Sequence, residues 1–171
     1  MNRPAADEYA PYFHAYVDRV PGDDLIARLQ EQGEGTRRLL AGLDEVAGMH
    51  RYAAGKWTVK RVLQHVVDGE RMFTYRALCI ARGEQQSLPG FDENAYAELD
   101  GSDARSLASI VAEFAAVRAA SIALFSGFED AAWRRRGVAN GNPFTVRALA
   151  WVAAGHELHH RTVLRERYGV G

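Results

Sequence analysis

Cysteine is nearly absent. Cys79 is the only one among 171 residues, so the chain can form neither an internal disulfide nor a multi-cysteine metal site. It reads as a small buried hydrophobe. Lysine is almost as scarce: Lys56 and Lys60 stand alone beside many arginines, a matter of genomic composition rather than of guanidinium chemistry. An excess of one charge is missing too. With 21 Lys plus Arg, 22 Asp plus Glu and a formal net charge of -1, no global field gathers nucleic acid, acidic membrane or polyanion. Arg134-Arg135-Arg136, without interleaved aromatics or a basic face, reads as a solvated loop. The longest apolar runs, such as Ala148 to Ala154, are too short to cross a bilayer, and Met1 to Glu8 has no apolar signal segment. The expectation is a cytoplasmic protein with neither a membrane nor a nucleic-acid partner. Nowhere does period-two alternation suggest a sheet.

What is present, at 47% hydrophobic residues, suffices for one packed domain covering 1–171, and its apolar residues recur at helical spacing. A first helix follows Pro21-Gly22, with Asp23 as N-cap and a stripe of Leu25, Leu29, Gln32, Thr36, Leu39 and Leu43, ending near Asp44 to Gly48. A second is capped by Thr58, carries Val59, Val62, Leu63, Val66, Phe73 and Ala77, and stops at Gly83. A third is capped near Ser102 and runs through Leu107, Ile110, Phe114 and Val117 to Phe128. A fourth follows Asn142-Pro143, is capped by Thr145 and ends before Gly169. The fold class is therefore an all-α four-helix bundle. Residues 1–20, with Tyr9, Tyr12, Phe13 and Tyr16, are too aromatic for a free tail and should pack on the bundle.

The connection from about 83 to 101 is longer than a helical hairpin needs. It could span up to about 60 Å against helices of roughly 36 Å, enough to return the chain to the other end of the bundle. The order is then up-down-down-up, with a long crossover between the second and third helices. The briefer connections make helices one and two, and three and four, antiparallel neighbours.

The fourth helix contains His156-Glu157-Leu158-His159-His160. His156 and His160, one turn apart on the inward stripe, can present two ring nitrogens to one ion. His65 lies about seven residues into the second helix, and antiparallel packing brings it level with the pair; parallel packing leaves it about 10 Å out of step. Crossover length and histidine height thus favour the same topology. Three neutral imidazoles leave a coordination position open, as in catalytic sites, with zinc the first choice and nickel a second. Gly69, one turn after His65, leaves room for an added ligand or for close packing. His159 continues the stripe less well than His160, and His14 and His50 are read as solvated. The same five residues fit the His-Glu-x-x-His pattern of zinc proteases, but only eleven residues follow His160 to supply a third ligand, and no strand is expected to bind a peptide. Glu157 is then a supporting or solvent-facing carboxylate. Asp92, Glu93 and Glu157 are the available proton acceptors, while Arg71, Tyr75 and Arg76 lie on the second helix where they could meet an anionic ligand but are read as solvated.

Three segments carry a resemblance: Gly55-Lys56-Trp57-Thr58 through His65, Leu88-Pro89-Gly90-Phe91-Asp92-Glu93, and Ala154-Gly155-His156 through His160. Together the sequence resembles the DinB-like superfamily of metal-binding four-helix bundles. The resemblance implies the up-down-down-up order, a metal site on His65, His156 and His160, and often a homodimer. Characterised relatives include enzymes using low-molecular-weight thiols. It therefore implies a metal-dependent enzyme activating such a thiol for S-transfer to an electrophile. The alternatives are a metal-dependent hydrolase of small esters or amides, or a non-catalytic metal-binding or interaction protein of a stress response.

Overall fold

The protein is described by a computed structural model over residues 2–171. Its helices are α1 (His14–Val17), α2 (Leu25–Leu40), α3 (Glu45–Gly48), α4 (Val59–Ala81), α5 (Glu93–Leu99), α6 (Leu107–Ser126), α7 (Asp130–Trp133) and α8 (Val146–Tyr168). Helices α2, α4, α6 and α8 form the bundle. Thr58 and Thr145 cap α4 and α8 as expected, accepting from the amides of Arg61 and Ala148, each worth about 1 kcal/mol. The other two caps differ from the sequence expectation. Asp24, not Asp23, caps α2, and Ser106, not Ser102, caps α6, because Ser102 begins a separate 3-10 turn. Helix α2 also ends earlier, at Leu40, since Asp44 caps the new turn α3.

Side-chain pairs fix the topology. Along α4 and α8, the Tyr168 hydroxyl donates to the Trp57 carbonyl, His65 faces His160, and Gly69 abuts His156, so the two run antiparallel. Arg105 bonds Gln64 just before α6 and Arg118 bonds Glu70 further along it, so α4 and α6 are parallel. Gly33 meets Arg118, while Leu40 and Leu107 share one cluster, so α2 runs against α6. Thr36 bonds Glu157 and Leu39 approaches Gly171, so α2 runs with α8. The order is up-down-down-up. The adjacent pairs are α4 with α8, α4 with α6, α2 with α6 and α2 with α8. Helices α2 and α4, and likewise α6 and α8, are thus antiparallel across the diagonal rather than neighbours. The expectation of adjacency fails because α2 stops at Leu40, and its link to α4 is long enough to cross the bundle.

The chain also contains a hairpin, against the expectation of no sheet. Strands β1 (Arg136–Ala139) and β2 (Asn142–Thr145) pair antiparallel. Their two-residue turn, Asn140-Gly141, has φ of 51° and 71°, the left-handed pair that a tight primed turn requires. Four-residue strands are too short for alternation to register, yet the Asn-Gly dipeptide was a legible signal. Leu88 of the crossover bonds the backbone of Val138 and Asn140, stitching the connection to the hairpin. The arginine run is exposed, as its reading as solvated expects, but is not wholly a loop: Arg135 bonds the Ala81 carbonyl, and Arg136 opens β1 and bonds Asp7.

Helix α6 is long and apolar enough to cross a membrane by length and composition, with a mean hydropathy of 1.7. Glu113 and Arg118 interrupt its apolar run. Its Leu107, Ile110, Phe114 and Phe125 are buried in the bundle, and exposed alanines supply much of the remaining apolarity.

Of the N-terminal aromatics, Tyr9 is buried and Phe13 and Tyr16 are half-buried, while Tyr12 is exposed. Val17 and Val20 are buried, and Arg3 stacks on Trp151. Glu8 is buried against α8; burial alone would raise its pKa, but bonds from Arg147, the Ala5 amide and Thr145 hold it down at about 2, against an ordinary 4.5. Its contribution to stability is therefore complete above pH 4.5 and is lost as pH falls from there towards 2. Thermal midpoints measured between pH 5 and 2.5 should fall more steeply for the parent than for Glu8→Gln, whose midpoint is already lower at pH 7. Superimposable slopes would refute this role for Glu8.

Candidate metal centre

His65 projects from α4, and His156 and His160 from α8, at the height where the two helices cross level. The Nε2 atoms of His65 and His156 are 3.0 Å apart, and those of His160 and His156 3.1 Å. One ring nitrogen from each of the three lies within 4.8 Å of the others. For bonds of about 2.0–2.1 Å, a tetrahedral cation sets its ligand nitrogens about 3.3 Å apart. His65 and His156 are buried and His160 half-buried. Burial lowers all three pKa values. His160 is brought to about 2 by burial, with His65 and His159 adding repulsion; burial and the same kind of repulsion take His156 well below the ordinary value. For His65, burial prevails over the opposing pull of Glu93.

All three rings are therefore neutral at pH 7, and their edges point at one spot. Neutral imidazole has one N–H and one lone pair, so the central His156 Nε2 cannot make good hydrogen bonds to both neighbours at once. A divalent cation uses all three lone pairs together. On this donor chemistry the residues fit such an ion. Nδ1 of His160 is enclosed without a protein partner.

Beside the histidines opens a cavity of about 310 Å³. His65 and His156 form part of its wall, with Tyr12, Phe13, Tyr16, Phe73 and Phe91 as aromatic sides and Glu93, Asn140 and Asn142 as polar ones. Two glycines set this shape. A Cβ on Gly69 would come within 2.8 Å of His156 Cε1, so the residue permits close packing as well as bordering the cavity. A Cβ on Gly155 would collide with the Tyr16 carbonyl, so the α1 backbone rests directly on α8. That contact places the Tyr16 ring edge-on to His156 and His159, with centroids 5.6 and 5.5 Å away.

The other sequence candidates lie elsewhere. Glu157 does not face solvent, nor is it among the cavity residues; it is 1% exposed and bonded to Thr36 and Arg118. The first half of α8, up to Glu157, is buried on nearly every side, leaving position 157 no water to face. Asp92 is exposed and caps α5 through the amides of Asn94 and Ala95. His159 is half-buried against Tyr16, and His14 and His50 are exposed as expected. Arg71 pairs with Glu113 and Tyr75 is half-exposed, but Arg76 is buried in the cavity wall, contrary to its reading as solvated. Asn140 and Asn142 were missed with the hairpin that carries them.

Fold and site together define a four-helix bundle of crossed-over topology with a three-histidine cluster beside a cavity. The chain belongs to the DinB superfamily, whose family model matches residues 7–164. Among solved structures it is similar to YfiT from Bacillus subtilis, described as "a probable metal-dependent hydrolase with an unusual four-helix bundle topology". The TM-score is 0.75 at 21% identity, over 86% of this chain and 87% of that one, a likeness of fold. No protein of curated description matches the sequence.

Proposed function

We propose that the protein is a metal-dependent enzyme in which His65, His156 and His160 hold a divalent cation, zinc first and nickel second, and a low-molecular-weight thiol is activated for transfer to a small electrophile. The observation that carries this is the convergence of three neutral imidazole lone pairs beside an aromatic-lined cavity. Cys79 is not among the cavity residues, so the thiol arrives with a substrate. Such a cation supplies Lewis acidity, lowering the pKa of a water or thiol nucleophile. The chain's own groups do the rest. Tyr12, Phe13, Tyr16, Phe73 and Phe91 pack an apolar electrophile and exclude water. The Tyr16 hydroxyl, which burial raises to about 12 from a value already well above neutral pH, is protonated and can donate to an oxygen gaining charge. Glu93 offers a carboxylate to take up the nucleophile's proton.

A second reading, hydrolysis of a small ester or amide, is favoured by that same carboxylate, since water needs a proton acceptor more than a thiol does. Fully zinc-loaded protein separates the two. Saturable conjugation of a small thiol to chlorodinitrobenzene, with the thiol suppressing any p-nitrophenyl acetate cleavage, is expected for transfer. Ester cleavage indifferent to thiol, with no conjugation, would replace transfer by hydrolysis.

A further inference from the structure

Arg76 is 5% exposed and forms part of the cavity wall. Its Nη2 donates to the Pro89 carbonyl at 2.7 Å, and its plane lies over the Phe91 ring, 5.8 Å from the centroid. Its Nε is enclosed and bonded to nothing. The other buried arginine among the described residues, Arg118, has Glu70 and Glu157, and the half-buried Arg147 and Arg161 have Glu8 and Glu157. Among the described residues, no carboxylate lies within ion-pair distance of Arg76. A guanidinium taken out of water without a counter-charge is costly, and a structural need for bulk would be met more cheaply by an apolar side chain.

Arg76 also stands in register with the histidines. Eleven residues separate it from His65 on α4, three turns on nearly the same face, or about 16 Å of rise. A long helical side chain leans back towards the N-terminal turn, here towards His65. Phe73 lies between them on the cavity wall. We propose that Arg76 is the anion-binding residue of this cavity, and that its ligands are small aromatic or apolar molecules bearing one carboxylate or similar monoanionic group. The anion sits at Arg76, the apolar body lies along the rings, and the reactive end points towards the histidines. This rests on the proposed function only in taking the cavity as the substrate site.

The test is calorimetric titration of the full, metal-loaded chain with phenylmethanesulfonate, a poor metal ligand, and with the neutral benzyl methyl sulfone. Metal content and thermal midpoint are recorded for each protein used. The parent should bind the anion at least about tenfold more tightly; Arg76→Gln should bring the two within about twofold, and Arg76→Lys should keep part of the preference. Equal affinities in the parent, no binding of the sulfonate, or a preference surviving in folded Arg76→Gln would overturn the proposal. If Arg76→Gln fails to fold, the parent comparison and the lysine variant decide. Anion preference without turnover in either assay above would remove the enzymatic reading and leave this one standing. Turnover without anion preference would do the reverse.

Discussion

Replacing Arg118 by methionine should remove about 3–5 kcal/mol of stability, the usual result of stranding buried carboxylates by deleting their cation. Arg118 joins all four bundle helices. From α6 it donates two bonds of 2.8 Å to Glu70 on α4, one to the Leu29 carbonyl on α2 at 3.0 Å and one to Glu157 on α8 at 3.1 Å. Its side chain is 4% exposed, those of Glu70 and Glu157 3% and 1%. Burial alone would lower the guanidinium's pKa, but the two carboxylates more than reverse that. Without it, two negative charges face each other in the interior with only Arg161, at 4.0 Å from Glu157, to offset them. Urea unfolding reads the loss directly. Adding Glu70→Gln and Glu157→Gln to the methionine variant should recover more than half of it, because neutral amides no longer repel. A single-variant loss below about 1 kcal/mol would show that the four-way junction contributes little.

Alanine at position 155 should be nearly as damaging, through shape rather than charge. Glycine-to-alanine within a helix normally gains stability. Here the new methyl group would collide with the Tyr16 carbonyl, and backbone cannot rotate away as a side chain can. Either α1 lifts from α8 or α8 shifts, at a cost of about 3 kcal/mol. Lifting α1 also takes Tyr12, Phe13 and Tyr16 from the cavity wall. Gly155→Ala should therefore bind the neutral sulfone at least about tenfold more weakly, with the thermal midpoint depressed but His65, His156 and His160 still present. An unchanged or higher midpoint would mean that the N-terminal segment does not rest on α8 as described.

The histidine convergence was legible because a 3.6-residue period reports which side chains share an inward face, and the crossover length limited the relative direction of α4 and α8. The same period says nothing of which neighbour an inward face meets. The diagonal placement of α2 and α4 was therefore hidden, and with it the junction at Arg118, a charged residue in an alanine-rich helix whose partners come from three other helices. The solvent-facing alternative for Glu157 failed for a related reason. An amphipathic pattern presumes a wet side, and the first half of α8 has almost none. Arg76 looked like any surface arginine because its burial comes from the crossover, through Pro89 and Phe91, and not from its own helix. The hairpin was lost to strand shortness, though Asn140-Gly141 marked its turn.

Elemental analysis of protein purified without an affinity tag, comparing the parent with His160→Ala, addresses the account most directly. The parent should carry close to one equivalent of a divalent transition metal, and the variant should lose it while keeping its helical circular dichroism. A parent with less than about a tenth of an equivalent, even after incubation with zinc, would mean that the three imidazoles hold no ion.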